Sequence, residues 1–377
     1  MTRKRKVLTC LESCGRGGIE TTLLRCLKEW DPAEIEMHVS VHTMKGDWME
    51  EYRKRTYALY RMPGKFFFTY QLIWAYFFLR RHRFDVVHCR NAFFCAPVVL
   101  ACRLNHIPVL VSIHSTRSLN ETRKLFHRIR LIRIALNKWI VRHFATCIIG
   151  HSQENLNCYF PQWRSSKRAS VIYNGIQLNS ALPGDEERKM ARQDLGFSSE
   201  LRYLLNVGTF RPPKNHKMLI ELLAQLQPQM PELRLVLVGG GSLRSAIEQY
   251  AKERGVFELV IFTGVQENTA PYYKACDLFV FPSLYEGLGN VVIEAENFGC
   301  PVACSDLPAL REALCPVQHK NMFPVNDRER ASGIIRRLLK SPPPQSELEE
   351  SFQYIRQHFD IKKMAAALLE KYRQVSK

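Results

Sequence analysis

The sequence predicts an α/β protein made of two doubly wound domains, each a parallel sheet covered by helices on both faces. Three observations carry that expectation. Short apolar runs bounded by loop signals recur along the whole chain. Stretches with helical spacing separate most of them, the pattern of a buried parallel sheet with crossover helices. The length, 377 residues, also exceeds the size at which one hydrophobic core keeps growing, so two domains of roughly 150 to 200 residues are expected. Hydrophobic residues make up 46% and charged residues 24% of the chain. No long polar, Gly/Ser-rich or repeated tract interrupts them, so the chain is expected to fold throughout.

Taken in order, the first strand series is "VLTC" (7–10), "HVSVH" (38–42), "DVVHC" (85–89), "VLVSIH" (109–114), "TCIIG" (146–150) and "ASVIYNG" (169–175). A polar stretch with a Pro-Gly pair, residues 177–200, reads as the domain boundary. The second series is "RYLLNVG" (202–208), "LRLVLVGGG" (233–241), "ELVIFTG" (258–264), "DLFVFPS" (277–283) and "PVACSD" (301–306). The tail from Gln345 to Lys377 reads as one or two helices, with apolar spacing at Phe352, Ile355, Phe359, Met364, Leu368 and Tyr372.

Charge separates the two halves. Residues 1–180 hold 29 Lys+Arg against 12 Asp+Glu, whereas the remainder holds 25 against 24. A basic field confined to one half points to an acidic partner there, such as an anionic membrane surface or a phosphate-bearing ligand. Nucleic acid is disfavoured, because no reading module or aromatic binding spacing accompanies the charge. The start, "MTRKRKVLTCLESCG", lacks the apolar length and cleavage pattern of a secretory signal, so a cytoplasmic location is expected. The twelve cysteines are scattered without a C-x-x-C pair, and Cys10/Cys14 and Cys300/Cys304 have no neighbours to complete zinc ligation. They read as small core residues.

Two segments of the first half bear on the partner. Residues 65–84, "KFFFTYQLIWAYFFLRRHRF", are dense in aromatics but too short for a bilayer span, which takes about 20 apolar residues. Residues 122–144 place Leu125, Ile129, Ile132, Leu136 and Trp139 on one helical stripe, with Arg123, Lys124, Arg128, Arg130, Arg133, Lys138 and Arg142 around it. That composition suits a helix lying in a membrane interface. The competing reading for both is an ordinary helix that buries its apolar face on a sheet.

"YEGLGNVVIEAENFG" (285–299) sets Glu286 and Glu294 around a Gly-x-Gly and an apolar run. Glu286 follows a strand closely, where doubly wound domains bind ligands. Gly287 and Gly289 permit close backbone approach, and a helix starting near Asn290 would turn its free amides toward the same place. Two carboxylates repel a phosphate, but they accept hydrogen bonds from sugar hydroxyls while loop amides hold the phosphates. A sugar nucleotide reconciles the two. Without such a ligand, Glu286 is a loop charge and Glu294 a solvated helix residue.

The stretch "DLFVFPSLYEGLGNVVIEAENFGCPVACSD" resembles the signature of GT-B retaining glycosyltransferases of family 4, Glu286 and Glu294 matching its E-x7-E element. "GRGGIET" (15–21), "FDVVHC", "VSIHS", "VIYNGI", "VGTFRPPKNHKMLIEL" and "LVLVGGGSLR" are similar to further landmarks of the family and occur in its order. The resemblance implies two Rossmann-like domains facing a cleft. Residues 1–180 would bind the acceptor, residues 181–354 the nucleotide-sugar, and a helix at about 355–377 would pack back on the first domain.

It also implies roles. Glu286 would position the donor sugar and Glu294 the ribose, with Gly287, Leu288, Gly289, Asn290 and Val291 around the donor. Lys214 would neutralise the diphosphate, the backbone at Gly264 and Val265 would face the base, and Gly17, Gly18 and Asn174 would line the site. His114 matches a cleft histidine near the sugar. The family usually has Arg where Thr209 stands, and Arg211 is the expected substitute.

The expected activity is transfer of a hexose or N-acetylhexosamine, from a UDP-sugar in preference to GDP-mannose, with retention, to a lipid-linked or lipopolysaccharide/capsule acceptor. No Asp-x-Asp element is present, so no metal or other cofactor is expected. A GT-B epimerase and a catalytically impaired nucleotide-sugar-binding protein are the nearest alternatives. A dinucleotide oxidoreductase is disfavoured, because "CGRGGIE" is not G-x-G-x-x-G and "VGGGSLR" lacks the acidic ribose anchor.

Overall fold

The computed structural model describes residues 4–64, 68–116 and 127–376, with the side chains of 127–130 outside that description. The chain divides into two compact units, residues 1–177 with 359–377, and residues 178–358.

The first unit is a seven-stranded parallel sheet: β1 (Arg5–Leu11), β2 (Ile35–Val41), β3 (Ala58–Arg61), β4 (Val86–Cys89), β5 (Val109–Ile113), β6 (Cys147–Gly150) and β7 (Ala169–Val171). Its spatial order is β3-β2-β1-β4-β5-β6-β7. One face is covered by the helix Gly18–Glu29 and the C-terminal helix Ile361–Val375, joined where Trp30 Nε1 donates to the Ala365 carbonyl at 2.9 Å. The return of the C-terminal segment is fixed by backbone pairing: Ile176 N donates to Phe359 O at 2.8 Å and Ile361 N to Ile176 O at 3.0 Å. A Cβ at Gly175 would run into the Ile361 backbone, so glycine there serves close packing. The other face carries the helices Phe68–His82, Ala96–Leu104 and His127–Phe144.

The second unit has β8 (Arg202–Val207), β9 (Leu233–Val238), β10 (Val260–Gly264), β11 (Leu278–Phe281), β12 (Val302–Ser305) and β13 (Met322–Phe323). All pairings are parallel, in the order β10-β9-β8-β11-β12-β13. The strands are bare apolar runs because both faces are buried, for example Leu278, Phe279, Val280 and Phe281 at 0% exposure.

Three expectations change. The strand expected over 169–175 ends at Val171, since the chain turns away to meet the C-terminal segment. Two further strands exist, β3 and β13, both at sheet margins and too short to show a pattern. The polar stretch 177–200 is not a bare linker. It contains the helix Asp185–Asp194, and Arg192 binds Asp277 at 2.8 Å, which ties that helix to the second unit.

Candidate functional site

In each sheet the strand order reverses once, between β1 and β4 and between β8 and β11. At such a reversal the loops on either side diverge and leave a crevice beyond the carboxyl ends of the strands. Most of the site residues expected from the sequence sit at these two places.

In the second unit, the loop after β8 runs through exposed Thr209 and exposed Arg211 into a short 3-10 turn, Pro212–Lys214. The loop after β11 is drawn to it, because Leu284 N donates to the Pro213 carbonyl at 2.8 Å. This contact brings Lys214 Nζ to 2.6 Å from Glu286 Oε1, with the two side chains 21% and 10% exposed. The ammonium also lies 4.7 Å from the centre of the Phe281 ring. A charge-assisted bond of that length, sheltered on one side by an aromatic ring, is short and directional. Arg211 makes no side-chain hydrogen bond or ion pair with a described residue.

Gly289 then starts the helix Asn290–Asn297 from a left-handed conformation, φ +89°, and a Cβ there would strike Leu310. Glycine is therefore demanded twice over, by φ and by space. Gly287, Asn290 and Val291 are half-buried and Leu288 is buried. Glu294, one turn inside the helix, accepts from Tyr273 Oη at 3.3 Å. At the end of β10, Gly264 is left-handed with φ +75°, and Val265 beside it is 57% exposed. Arg244 reaches this spot, its Nη1 3.3 Å from where a Gly264 Cβ would stand, and is held by Glu248 at 2.7 Å. Sequence reasoning missed Arg244, although it is the first cation after the "VGGG" turn.

Glu296, on the same helix as Glu294, was also missed. It is 2% exposed, and Cys315 N donates to its carboxyl oxygens at 3.2 and 3.3 Å. Burial pushes its pKa up to about 8, against the pull of that amide. It anchors the helix from behind.

In the first unit, Gly17 caps the helix Gly18–Glu29 and its Cβ position is taken by the Glu20 carboxylate, whereas a Cβ on Gly18 would meet nothing within 4 Å. Asn174 is buried on the loop after β7. His114 follows β5 and lines a pocket of about 260 Å³ with Phe93, Phe94, Ile134, Asn137 and Tyr159. Its ring stacks on His151, centroids 4.0 Å apart and planes at 14°. Burial holds its pKa well below the usual histidine value, reinforced by His151, Arg90 and His88. Among the described residues no group of three or more His, Cys, Asp or Glu is placed to hold a metal ion. Glu286, Lys214, Arg211, Thr209, Gly264 and Glu294 thus belong to one unit, and His114, Gly17, Gly18 and Asn174 to the other.

Of the expected interfacial stripe, Leu125 and the Ile129 side chain lie outside the described residues. Ile132, Leu136 and Trp139 face solvent at 68, 49 and 51% exposure, while Ile134, Ile140 and Val141 form the buried face of the helix His127–Phe144. The helix Phe68–His82 likewise presents exposed Tyr70, Ile73 and Phe77, with 65–67 outside the described residues. Among the described residues no helix is long and apolar enough to cross a membrane.

Residues 16–180 match the family model for glycosyltransferase family 4, and residues 187–356 the model for glycosyl transferases group 1. The "Putative glycosyltransferase EpsF" of Bacillus subtilis (strain 168) is 26% identical over 314 residues, spanning 80% of this chain and 79% of its own length. The N-acetylgalactosamine-N,N'-diacetylbacillosaminyl-diphospho-undecaprenol 4-alpha-N-acetylgalactosaminyltransferase of Campylobacter jejuni is 27% identical, over 58% of this chain and 59% of its own length. The crystal structure of Anabaena Alr3699/HepE in complex with UDP-glucose superposes with a TM-score of 0.82 at 18% identity, over 98% of this chain and 99% of that one. At that identity the likeness is one of fold.

Proposed function

The chain belongs to the GT-B glycosyltransferases of family 4, and from that premise we propose that it moves a hexose or N-acetylhexosamine from a UDP-sugar to a lipid-linked or surface-polysaccharide acceptor, with retention of anomeric configuration. The observation that carries the reading is the Lys214–Glu286 pair, set at the strand reversal of the second unit beside the helix start opened by Gly289. The UDP-glucose complex of the Anabaena protein supports the donor class, and the diphospho-undecaprenol in the name of the Campylobacter relative supports the acceptor class.

The leaving nucleoside diphosphate is an anion, so fixed positive groups that meet its developing charge lower the barrier. Lys214 has three donors, of which Glu286 takes one. The remaining donors, the amides of Gly289 to Val291 and the exposed Arg211 are assigned to the diphosphate, with no resident metal. Arg211 is free to swing, which is how it would replace an arginine at Thr209. Glu286 is assigned to the donor sugar and Glu294 to the ribose. Locking Glu286 against Lys214 keeps its carboxylate aimed, as an acceptor of hydroxyl hydrogens must be. His114 is assigned to the sugar from the first unit. It is held neutral, and a neutral imidazole offers a hydroxyl one donor and one acceptor instead of a charge.

The acceptor is assigned to the first unit, whose basic field suits an anionic lipid-linked glycan at the inner face of the cytoplasmic membrane. Ile132, Leu136 and Trp139, spaced as one stripe and flanked by Arg133, Lys138 and Arg142, are assigned to that surface together with Tyr70, Ile73 and Phe77.

The test is release of UDP or GDP across a panel of nucleotide-sugars, with and without polyprenyl-diphosphate glycans. Acceptor-dependent UDP release that Glu286→Ala abolishes, with an unchanged circular dichroism spectrum, is the expected result. Product with inverted anomeric configuration, or a sugar-nucleotide isomer formed without acceptor, would refute it.

A further inference from the structure

Four polar side chains cross the interior of the first unit in a single hydrogen-bonded line. Tyr372 Oη lies 2.7 Å from His88 Nδ1, His88 Nε2 lies 2.8 Å from Ser112 Oγ, and Ser112 Oγ lies 3.0 Å from His151 Nε2. His151 Nδ1 ends the line, 2.8 Å from the Ile172 carbonyl oxygen. All four side chains are buried, none more than 1% exposed. They come from the C-terminal helix, β4, β5 and the end of β6.

Chemistry gives the line one direction. A carbonyl only accepts, so His151 carries its hydrogen on Nδ1. Its Nε2 is then bare, provided the ring is neutral, and Ser112 must donate to it. Having one hydrogen, Ser112 accepts from His88 Nε2–H. His88 Nδ1 is bare in turn and accepts from Tyr372 O–H. Neutrality follows from burial and from Arg90, a guanidinium at 0% exposure whose field acts on His88, His114 and His151 alike. The same cation acts on Tyr372 at the head of the line. Both histidines are thereby held in one tautomer each, and reversing any bond would set two donors or two acceptors face to face.

The far end of this line is the platform for His114. The His114 ring lies on His151 at 4.0 Å, and its Nε2 has no hydrogen-bond partner among the described residues. Its orientation is therefore set by what holds His151. We propose that Tyr372, His88, Ser112 and His151 are positioning residues that fix the His114 imidazole for its contact with the sugar, and that the C-terminal helix acts on the site through the Tyr372 hydroxyl. The inference rests on the assignment of His114 to the sugar made above. Such a fixed presentation matters because a small misplacement of a contact group lowers turnover by up to about 100-fold.

The test uses the full chain and three variants: Tyr372→Phe and Ser112→Ala, each deleting one hydroxyl, and Ser112→Thr, which retains it. We expect kcat to fall about 10- to 100-fold in the first two. KM for the nucleotide-sugar should stay within about twofold, because the diphosphate contacts lie in the other unit, and Ser112→Thr should recover most of the rate. The double variant Tyr372→Phe/Ser112→Ala should be no slower than the slower single one, since both cut one line.

Imidazole 15N spectra of the wild type should show the proton on Nε2 of His88 and on Nδ1 of His151, and both deletions should move the His114 resonances. Turnover unchanged in a folded Ser112→Ala variant, opposite tautomers, or His114 resonances that ignore both deletions would overturn the proposal. Should Tyr372→Phe fail to fold, Ser112→Ala decides alone. Should the wild type turn over no nucleotide-sugar, the proposed function falls, and the ring spectra then decide the positioning by themselves.

Discussion

Replacing Glu296 by glutamine should stabilise this protein, and by more as the pH rises. The carboxyl is 2% exposed on the helix that also carries Glu294, and burial raises its pKa from 4.5 to about 8. Between those values the folded chain holds a proton that the unfolded chain has released. Stability that is fully present below pH 4.5 is therefore lost as the pH climbs through 8. At about 1.4 kcal/mol per pH unit, the wild type gives up at most about 3.5 kcal/mol by pH 7, and under about 1 kcal/mol at pH 5. Glutamine has the shape of the protonated acid and still accepts from Cys315 N, but never ionises. For a unit of this size that difference amounts to a rise in melting temperature of roughly 7–14 °C at pH 7. Scanning calorimetry on wild type and Glu296→Gln at pH 5, 7 and 8.5 makes the measurement. A variant that melts below the wild type at every pH, or a gap between the two that does not change with pH, would refute the reasoning.

The other predictions bear on the site and the surface. Lys214→Ala should lower kcat by about 100-fold or more if the ammonium meets the leaving diphosphate, whereas a change in KM alone would restrict it to ground-state binding; steady-state kinetics separates the two. Gly289→Ala should destabilise by about 2–3 kcal/mol, through its positive φ and the collision with Leu310. Gly18→Ala, whose Cβ meets nothing within 4 Å among the described residues, should leave the melting temperature within about 1–2 °C and act only on substrate KM. Changing Ile132, Leu136 and Trp139 to serine should weaken sedimentation with anionic phospholipid vesicles at least tenfold, by removing roughly 1.5 kcal/mol or more of apolar transfer. Equal binding by both proteins would remove that helix from the membrane surface.

What the sequence reveals and what it conceals divide along sequence separation. Strands such as "LFVF" and the helix behind Gly289 are legible because their signals are local: an apolar run buried on both faces, and a glycine where the chain must take positive φ. The strands β3 and β13 are hidden for the same reason, since four and two residues at a sheet margin carry no period. On the helix His127–Phe144 the apolar stripe was visible but its direction was not. Apolar residues occur on two faces, and only packing decides that Ile134 and Ile140 turn inward while Ile132 and Trp139 turn out.

The chemistry is harder to read than the fold, because its partners meet across the chain. Glu286 and Lys214 are 72 residues apart, and each can be assigned a role singly, yet their contact depends on one backbone bond from Leu284 to Pro213. His88 sits in "DVVHC", where alternation places it on a buried face and a histidine looks like a misfit. Its reason is Tyr372, 284 residues further on, and Ser112 on the next strand. A buried polar side chain is costly unless its partners are supplied. The histidine that interrupts β4 is thus met by polar partners from elsewhere in the chain. For His88 that partner sits on the C-terminal helix, so the polar break in β4 and the return of that helix to the first sheet are two parts of one requirement.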